Sequence, residues 1–260
     1  MDGFQTFKPH RIFARLAVLW REARPPCSRL PMHPRKLARD AGPMAFAVAA
    51  GLFACTAFAA AERPDTLHLD LDTDGIGVAP KDFDFSVAGG GAPGRWSVVR
   101  EDAARSDPAI EQFSAEKSEQ RFALAIYKPR SWNNFVLRVR IKAVDGRLDQ
   151  LGGIVLRLKS PGDFYAVGAN ALRDEVVFYR AIGGTVERVE GVETAISRKQ
   201  WHTFDVAADG NRFSVSLDET WLFAVQDETF GEEGRIGLIT KADSIMQFAR
   251  IEITPLPWSK

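Results

Sequence analysis

The chain has 260 residues, of which 45% are hydrophobic and 26% are charged, and its formal net charge is zero. This is ordinary globular composition, and it excludes a disordered or collagen-like chain. Nine of the 34 basic and three of the 34 acidic residues precede residue 62, so the remainder holds 25 basic and 31 acidic residues, a net charge of −6. An acidic domain gains nothing from counterion release on DNA or RNA, so we expect no nucleic-acid partner.

Residues 1–61 have the properties of a leader. The segment 41–61 (AGPMAFAVAAGLFACTAFAAA) is uncharged, follows a basic stretch and ends in small residues that suit signal peptidase. We interpret residues 32–61 as a secretory signal peptide and residues 1–31 as an extension ahead of the true start at Met32. The protein is therefore expected in the periplasm or secreted. A membrane link would come only from an uncleaved leader, which is long enough to span a bilayer, or from lipidation at Cys55.

Residues 62–260 contain no cysteine, because Cys27 and Cys55 both lie in the leader. This part of the chain therefore has no disulfide, no thiolate nucleophile and no cysteine ligand for zinc. From residue 66 onward, apolar residues recur at every second position in short runs, which is the period of a β-strand. Phe122, Leu124 and Ile126 show the pattern, and it predicts half-buried strands.

Turn signals separate these runs, at 145–146, 161–163, 183–184 and 209–211. About a dozen strands at this spacing, without helices between them, predict an all-β fold: one antiparallel β-sandwich of jelly-roll type over residues 62–260. The glycine-rich run 89–94 formally matches a dinucleotide motif, but a strand pattern follows it where a helix is required, so we interpret it as a loop.

Three aspartates near the start of the sandwich form the only candidate metal site. Asp70, Asp72 and Asp74 open like a calcium-binding loop, and Asp70 and Asp72 would share one face of a strand. Lys81, however, stands where the last acidic ligand of such a loop should be. Two interpretations stay open, namely a calcium site of another kind and a solvated strand end.

Several segments in order resemble the concanavalin A-like, or laminin-G-like, jelly rolls, and specifically bacterial domains related to the 3-keto-disaccharide hydrolase family. The resemblance spans residues 151–253. It is carried by GGIVLR (152–157), DFYAVGANAL (163–172), EVVFY (175–179), WHTFDV (201–206) and GRIGLITKADS (234–244). Gly168 departs from the pattern, because an arginine is common there.

The resemblance implies two curved sheets and a sugar site on the concave face or its rim. It would place seven polar residues near that site: Arg157, Tyr165, Asn170, Glu175, Tyr179, Lys241 and Asp243. Arginine and asparagine donate to hydroxyls, and tyrosine covers an apolar ring face, so we interpret Arg157, Tyr165, Asn170, Tyr179 and Lys241 as ligand-binding residues. Tyr165 and Tyr179 are expected to be exposed.

Three functions fit these features. The first is an exported lectin-like domain that binds saccharide or envelope glycan. The second is an enzyme that cleaves 3-keto-glycosides, in which Glu175 or Asp243 would act as general base if burial raises its pKa. The third is a structural domain that contacts another envelope protein.

Overall fold

A computed structural model describes residues 65–100 and 107–256 of the chain. In these ranges the chain forms fifteen β-strands and no helix. The strands are β1 (Leu67–His68), β2 (Phe83–Ala88), β3 (Trp96–Val99), β4 (Ala109–Gln112), β5 (Phe122–Tyr127), β6 (Phe135–Asp145), β7 (Leu151–Ser160), β8 (Asp163–Asn170), β9 (Glu175–Ile182), β10 (Thr185–Glu193), β11 (His202–Asp209), β12 (Arg212–Leu217), β13 (Thr220–Gln226), β14 (Arg235–Lys241) and β15 (Ile245–Pro255).

The strands form two antiparallel sheets. One has eight strands in the order β13-β12-β11-β6-β15-β4-β3, with β1 paired to β15; the other has seven, in the order β10-β9-β8-β7-β14-β5-β2. Side chains of both sheets meet in one core, to which Val139 and Phe204 of the eight-stranded sheet and Ile154 and Phe178 of the seven-stranded sheet belong. The predicted all-β antiparallel sandwich is confirmed. The leader lies outside the described residues.

The period-two pattern decides which face of each strand meets the core. In β6, Phe135, Leu137, Val139 and Ile141 are at most 2% exposed, while the intervening Arg138 is partly exposed. Because successive side chains of a strand point to opposite faces, this strand is half-buried as predicted.

Strand β5 differs from the prediction, because both of its faces are buried. Ala123 and Ala125 point into the core between the sheets. Phe122, Leu124 and Ile126 belong to a second apolar cluster on the opposite face of the seven-stranded sheet, which we call the outer face. Small residues face the core here and large ones face away, so a pattern of apolar residues alone could not assign the sides.

The turns follow the glycine signals. Gly183 and Gly184 connect β9 to β10 with φ of 57° and 86°, and Gly210 connects β11 to β12 with φ of 58°. These left-handed conformations cost glycine little, since it has no Cβ. In the part of the chain described, no helix is long and apolar enough to cross a membrane.

Candidate functional site

A pocket of about 230 Å³ opens at one end of the outer face of the seven-stranded sheet. Strands β5 and β9 begin at this end, and β8 and β14 finish there. We call it the Asp149 pocket. Its lining residues are Glu119, Gln120, Phe122, Leu148, Asp149, Arg173, Tyr179, Val186, Lys241 and Ala242.

Asp149 is the charged centre of this pocket and is only 1% exposed. Its Oδ1 accepts hydrogen bonds from the side-chain amide of Asn170, at 2.6 Å, and from the backbone N–H of Gln150, at 3.1 Å. Its Oδ2 lies 3.0 Å from Nζ of Lys241 and 3.9 Å from a guanidinium nitrogen of Arg173. A buried carboxylate needs such partners, and here it binds one cation and one amide directly, with a second cation nearby.

Two aromatic rings also line the pocket. The rings of Phe122 and Tyr179 meet edge to face, with centroids 5.8 Å apart. Burial raises the pKa of the Tyr179 phenol, and the nearby negative charges of Glu175 and Asp149 raise it further. Tyr179 therefore stays a neutral phenol, which can donate to or accept from a hydroxyl while its ring covers an apolar surface.

Glu175 lies beside the pocket rather than in its lining. It is in cross-strand register with Asn170, and its carboxylate accepts a hydrogen bond from Arg188 at 2.7 Å. The Glu175 side chain is 14% exposed. Thus Asn170, Glu175, Tyr179 and Lys241, all predicted from the sequence, come together at one end of the sheet.

Asp243 shapes the pocket without lining it. Its carboxylate accepts backbone N–H groups of Arg147, Leu148 and Asp149 at 3.0–3.1 Å, so it holds the loop that carries Asp149. Burial alone would raise the Asp243 pKa, but these hydrogen bonds together outweigh it and lower the pKa. The condition set for Asp243 as a general base, a raised pKa, is therefore not met.

Arg157 lies away from the Asp149 pocket and is fully buried. It occupies a break in the β7–β8 register with φ of 47°. Its guanidinium donates to the carbonyls of Phe230, at 2.9 Å, Asn133, at 3.3 Å, and Gly210. These three carbonyls belong to three different connections, so Arg157 fastens loops to one another.

The expected exposure of Tyr165 is wrong, because this residue is 0% exposed and belongs to the core between the sheets. Its hydroxyl donates to Asp227 at 2.5 Å and accepts the backbone N–H of Phe230 at 2.9 Å. Burial, followed by the hydrogen bond to Asp227, raises the pKa of Tyr165 to about 12. A buried hydroxyl needs hydrogen-bond partners, and Asp227 and the backbone of Phe230 supply them.

The three aspartates predicted to bind calcium have other partners in the structure. Asp70 accepts the backbone N–H of Asp72 at 2.9 Å. Asp72 accepts a hydrogen bond from Arg100 at 2.7 Å, and Asp74 lies 3.6 Å from Nζ of Lys81. Among residues 65–100 and 107–256, no three His, Cys, Asp or Glu side chains are grouped to hold a metal ion. The calcium site stays a prediction that these ion pairs do not favour.

Sequence reasoning missed Asp149, Arg173 and Phe122 of the pocket. Arg173 lies in the turn between two predicted residues, Asn170 and Glu175, and that position was a usable signal. Asp149 lies in the connection between β6 and β7, where the sequence pattern indicated only a turn. Its role depends on Lys241, which is 92 residues away in sequence and was not linked to it by any local pattern.

Most of the sandwich matches a known protein family. Residues 83–254, which are 172 of the 260 residues, match the family described as 3-keto-alpha-glucoside-1,2-lyase-like domain. The chain belongs to this family. The resemblance to 3-keto-disaccharide hydrolases is thereby confirmed. The matched range covers strands β2 to β14 and most of β15. No curated protein sequence matches the chain.

Solved structures of similar fold include sugar-binding and sugar-cleaving proteins. The carbohydrate-binding module CBM66 from Bacillus subtilis is 21% identical with a TM-score of 0.52, and the alignment covers 65% of this chain and 94% of that one. The exoplasmic/lumenal domain of VIP36, in a Ca²⁺/Man-bound form, has 12% identity, a TM-score of 0.49 and coverages of 69% and 85%. For the Bacillus licheniformis β-glucanase the values are 9%, 0.45, 68% and 94%. At such identities the likeness shows the fold alone.

Proposed function

We propose that this protein is an exported lectin-like domain that binds saccharide in the Asp149 pocket. One observation carries the proposal: the Phe122–Tyr179 ring pair lines the same pocket as a buried carboxylate that holds Lys241 and Asn170. A sugar ring has apolar C–H faces and a rim of hydroxyls, and it needs both kinds of surface at once. Family membership and the fold shared with CBM66 support a carbohydrate ligand.

The polar residues have distinct tasks in this proposal. Lys241 donates to ligand hydroxyls, and Asp149 holds it in place. Asn170 is buried behind the lining and acts indirectly, because it fixes Asp149. Tyr179 covers a ring face and offers its neutral hydroxyl. Asp243 acts indirectly, since it fixes the loop from which Asp149 extends.

A thermal-shift screen of the full chain against neutral saccharides tests this proposal. A ligand that binds only the folded state raises the melting temperature. We expect the shift to be lost in Lys241→Met and kept in the matched control Lys159→Met, because Lys159 is bound to Glu232 and Glu233 outside the pocket. Absence of a shift with every saccharide at millimolar concentration would direct attention to an envelope protein partner.

A second candidate function is cleavage of 3-keto-glycosides, favoured by the family match over residues 83–254. In that reaction a base takes the proton from the carbon next to the ketone, the glycosidic C–O bond breaks, and the departing oxygen gains a proton. Glu175 is the candidate base, because it is largely buried next to the pocket.

Release of reducing sugar from a 3-keto-disaccharide measures this activity. We expect Glu175→Gln to lower the rate about 100-fold or more. The control is Glu187→Gln, since Glu187 also binds an arginine of the same sheet, at 2.6 Å from Arg180, but its side chain is 50% exposed. A wild-type protein that releases no sugar contradicts the enzymatic candidate and leaves the binding proposal intact.

Export has its own test. We propose that the mature protein begins near Glu62, after removal of the predicted signal peptide. Mass spectrometry of the N-terminus should find mature chains that start between residues 60 and 62. Precursor peptides from before Met32 would contradict the predicted start, and an intact leader in the envelope fraction would contradict cleavage.

A further inference from the structure

We propose that the saccharide bound in the Asp149 pocket carries a carboxylate or a similar anionic group, and that Arg173 binds it. This inference rests on the proposed function and narrows its ligand to acidic glycans.

The charges around Asp149 do not balance. A single buried carboxylate faces Lys241 at 3.0 Å and Arg173 at 3.9 Å. Lys241 is close enough for a direct charge-assisted hydrogen bond, whereas the Arg173 distance exceeds hydrogen-bonding range. The ion pair of Asp149 with Lys241 therefore leaves the charge of Arg173 available to a ligand.

The other acidic groups near this end of the sheet do not neutralise Arg173. Glu175 is bound to Arg188 at 2.7 Å, and Asp243 faces the backbone N–H groups of its loop. Glu119 lines the pocket but is exposed, so water screens its charge. Among the described residues that line the pocket, Arg173 is thus the cation without a hydrogen-bonded acidic partner.

Arg173 is also held where it can meet a ligand. It lies in the β8–β9 turn, and Oδ1 of Asn170 accepts the backbone N–H groups of Leu172 and Arg173 at 3.0 and 3.3 Å. Asn170 is in turn bound to Asp149. The Arg173 side chain itself is 54% exposed, so its planar fork can form a paired contact with a carboxylate.

The test compares two ligands that differ only in charge. An oligosaccharide of glucuronic acid and its carboxyl-reduced counterpart, with the same length and linkage, are titrated calorimetrically into the full-length protein. We expect the acidic ligand to bind about tenfold more tightly at low salt, with a smaller difference at high salt because the Arg173 contact is half-exposed.

Variants assign the preference to Arg173. Arg173→Gln should bind both ligands equally, while the control Arg235→Gln should keep the tenfold preference, since Arg235 pairs with Asp84 away from the pocket. Equal binding of both ligands by the wild type overturns this inference and leaves saccharide binding standing. Binding of neither overturns this inference, and the thermal-shift screen of neutral saccharides then decides the proposed function. If Arg173→Gln does not fold, the wild-type preference and its salt dependence decide.

Discussion

Arg157 is an unusual residue for a β-sandwich, because a charged side chain is fully buried and its hydrogen-bond partners are backbone carbonyls. Burial lowers its pKa, but a guanidinium stays charged at any ordinary pH. The guanidinium carbon of Arg157 lies 5.2 Å from the centre of the Phe213 ring, and this contact adds a cation–π interaction. Arg157 therefore links three loops at this end of the sandwich through one side chain.

Replacing Arg157 with methionine should lower the free energy of unfolding by about 3 kcal/mol, because buried carbonyls lose their donor. Urea unfolding measures the effect. The control is Arg235→Met, which removes a partly exposed ion pair with Asp84 and should cost at most about 1 kcal/mol. An Arg157→Met protein as stable as its control would show that Arg157 does not hold the loops.

Asp243 gives a prediction with a pH signature. Its folded-state pKa is lowered, so its contribution to stability is present above the ordinary value of 3.8 and is lost as the pH falls through the folded-state pKa. Asp243→Asn should cost about 1–3 kcal/mol at neutral pH, since an amide cannot accept all three N–H groups.

The difference between wild type and Asp243→Asn should shrink as the pH is lowered below about 4. Urea unfolding across the acidic range measures it, with Asp84→Asn as the control for loss of a surface carboxylate. A gap that stays constant with pH would mean that Asp243 is not ionised in the folded protein.

At the scale of elements, the pairing of β7 with β8 requires a glycine. A Cβ built at Gly153 would lie 2.0 Å from the carbonyl oxygen of Val167 and 2.7 Å from Cα of Gly168. Backbone on the neighbouring strand cannot move aside without separating the two strands. Gly168 is similarly confined, because a Cβ built there would lie 2.8 Å from the Leu151 side chain, so the arginine common at this position would meet Leu151.

Gly153→Ala should therefore destabilise the protein by about 1–3 kcal/mol through overpacking. The matched control is Gly231→Ala, since no other atom lies within 4 Å of a Cβ built at Gly231. Thermal unfolding of both variants measures the contrast. Equal melting temperatures would contradict the close β7–β8 approach.

The sequence predicted that these strands exist better than it predicted which of their faces meet the core. Alternation identified β6 correctly, because its outer face is polar and its inner face is apolar. It misjudged β5, where Ala123 and Ala125 face the core and larger residues cover the outer face. Tyr165 was misplaced for a related reason, since its hydroxyl meets Asp227, which is 62 residues further along the chain.

At the scale of the whole molecule, all three tyrosines lie in environments that disfavour ionisation. Burial comes first in each case, and it raises the pKa of Tyr127, of Tyr165 to about 12, and of Tyr179. Because the folded-state values lie above the ordinary value of 10, the associated stability is complete below pH 10 and is lost as the pH rises further.

A spectrophotometric titration should consequently show little phenolate absorbance at pH 10, followed by a joint rise with alkaline unfolding. The same titration of the urea-unfolded protein provides the control, in which all three groups ionise near 10. Ionisation of one tyrosine near 10 in the folded protein would show that its environment is more open than described.

The site could be predicted only in part. The resemblance identified Asn170, Glu175, Tyr179 and Lys241, which the sheet does bring to one end. The carboxylate that organises them, Asp149, escaped because its partners are distant in sequence, and no pattern of composition or period reports a contact across a sandwich.

The central claim is that the Asp149 pocket is where saccharide binds, and a crystal structure of the complex tests it most directly. The protein would be crystallised with the saccharide that raises its melting temperature most. We predict a sugar ring against Tyr179 and a hydroxyl within hydrogen-bonding distance of Nζ of Lys241. A sugar bound instead on the eight-stranded sheet, with the Asp149 pocket empty, would contradict the account.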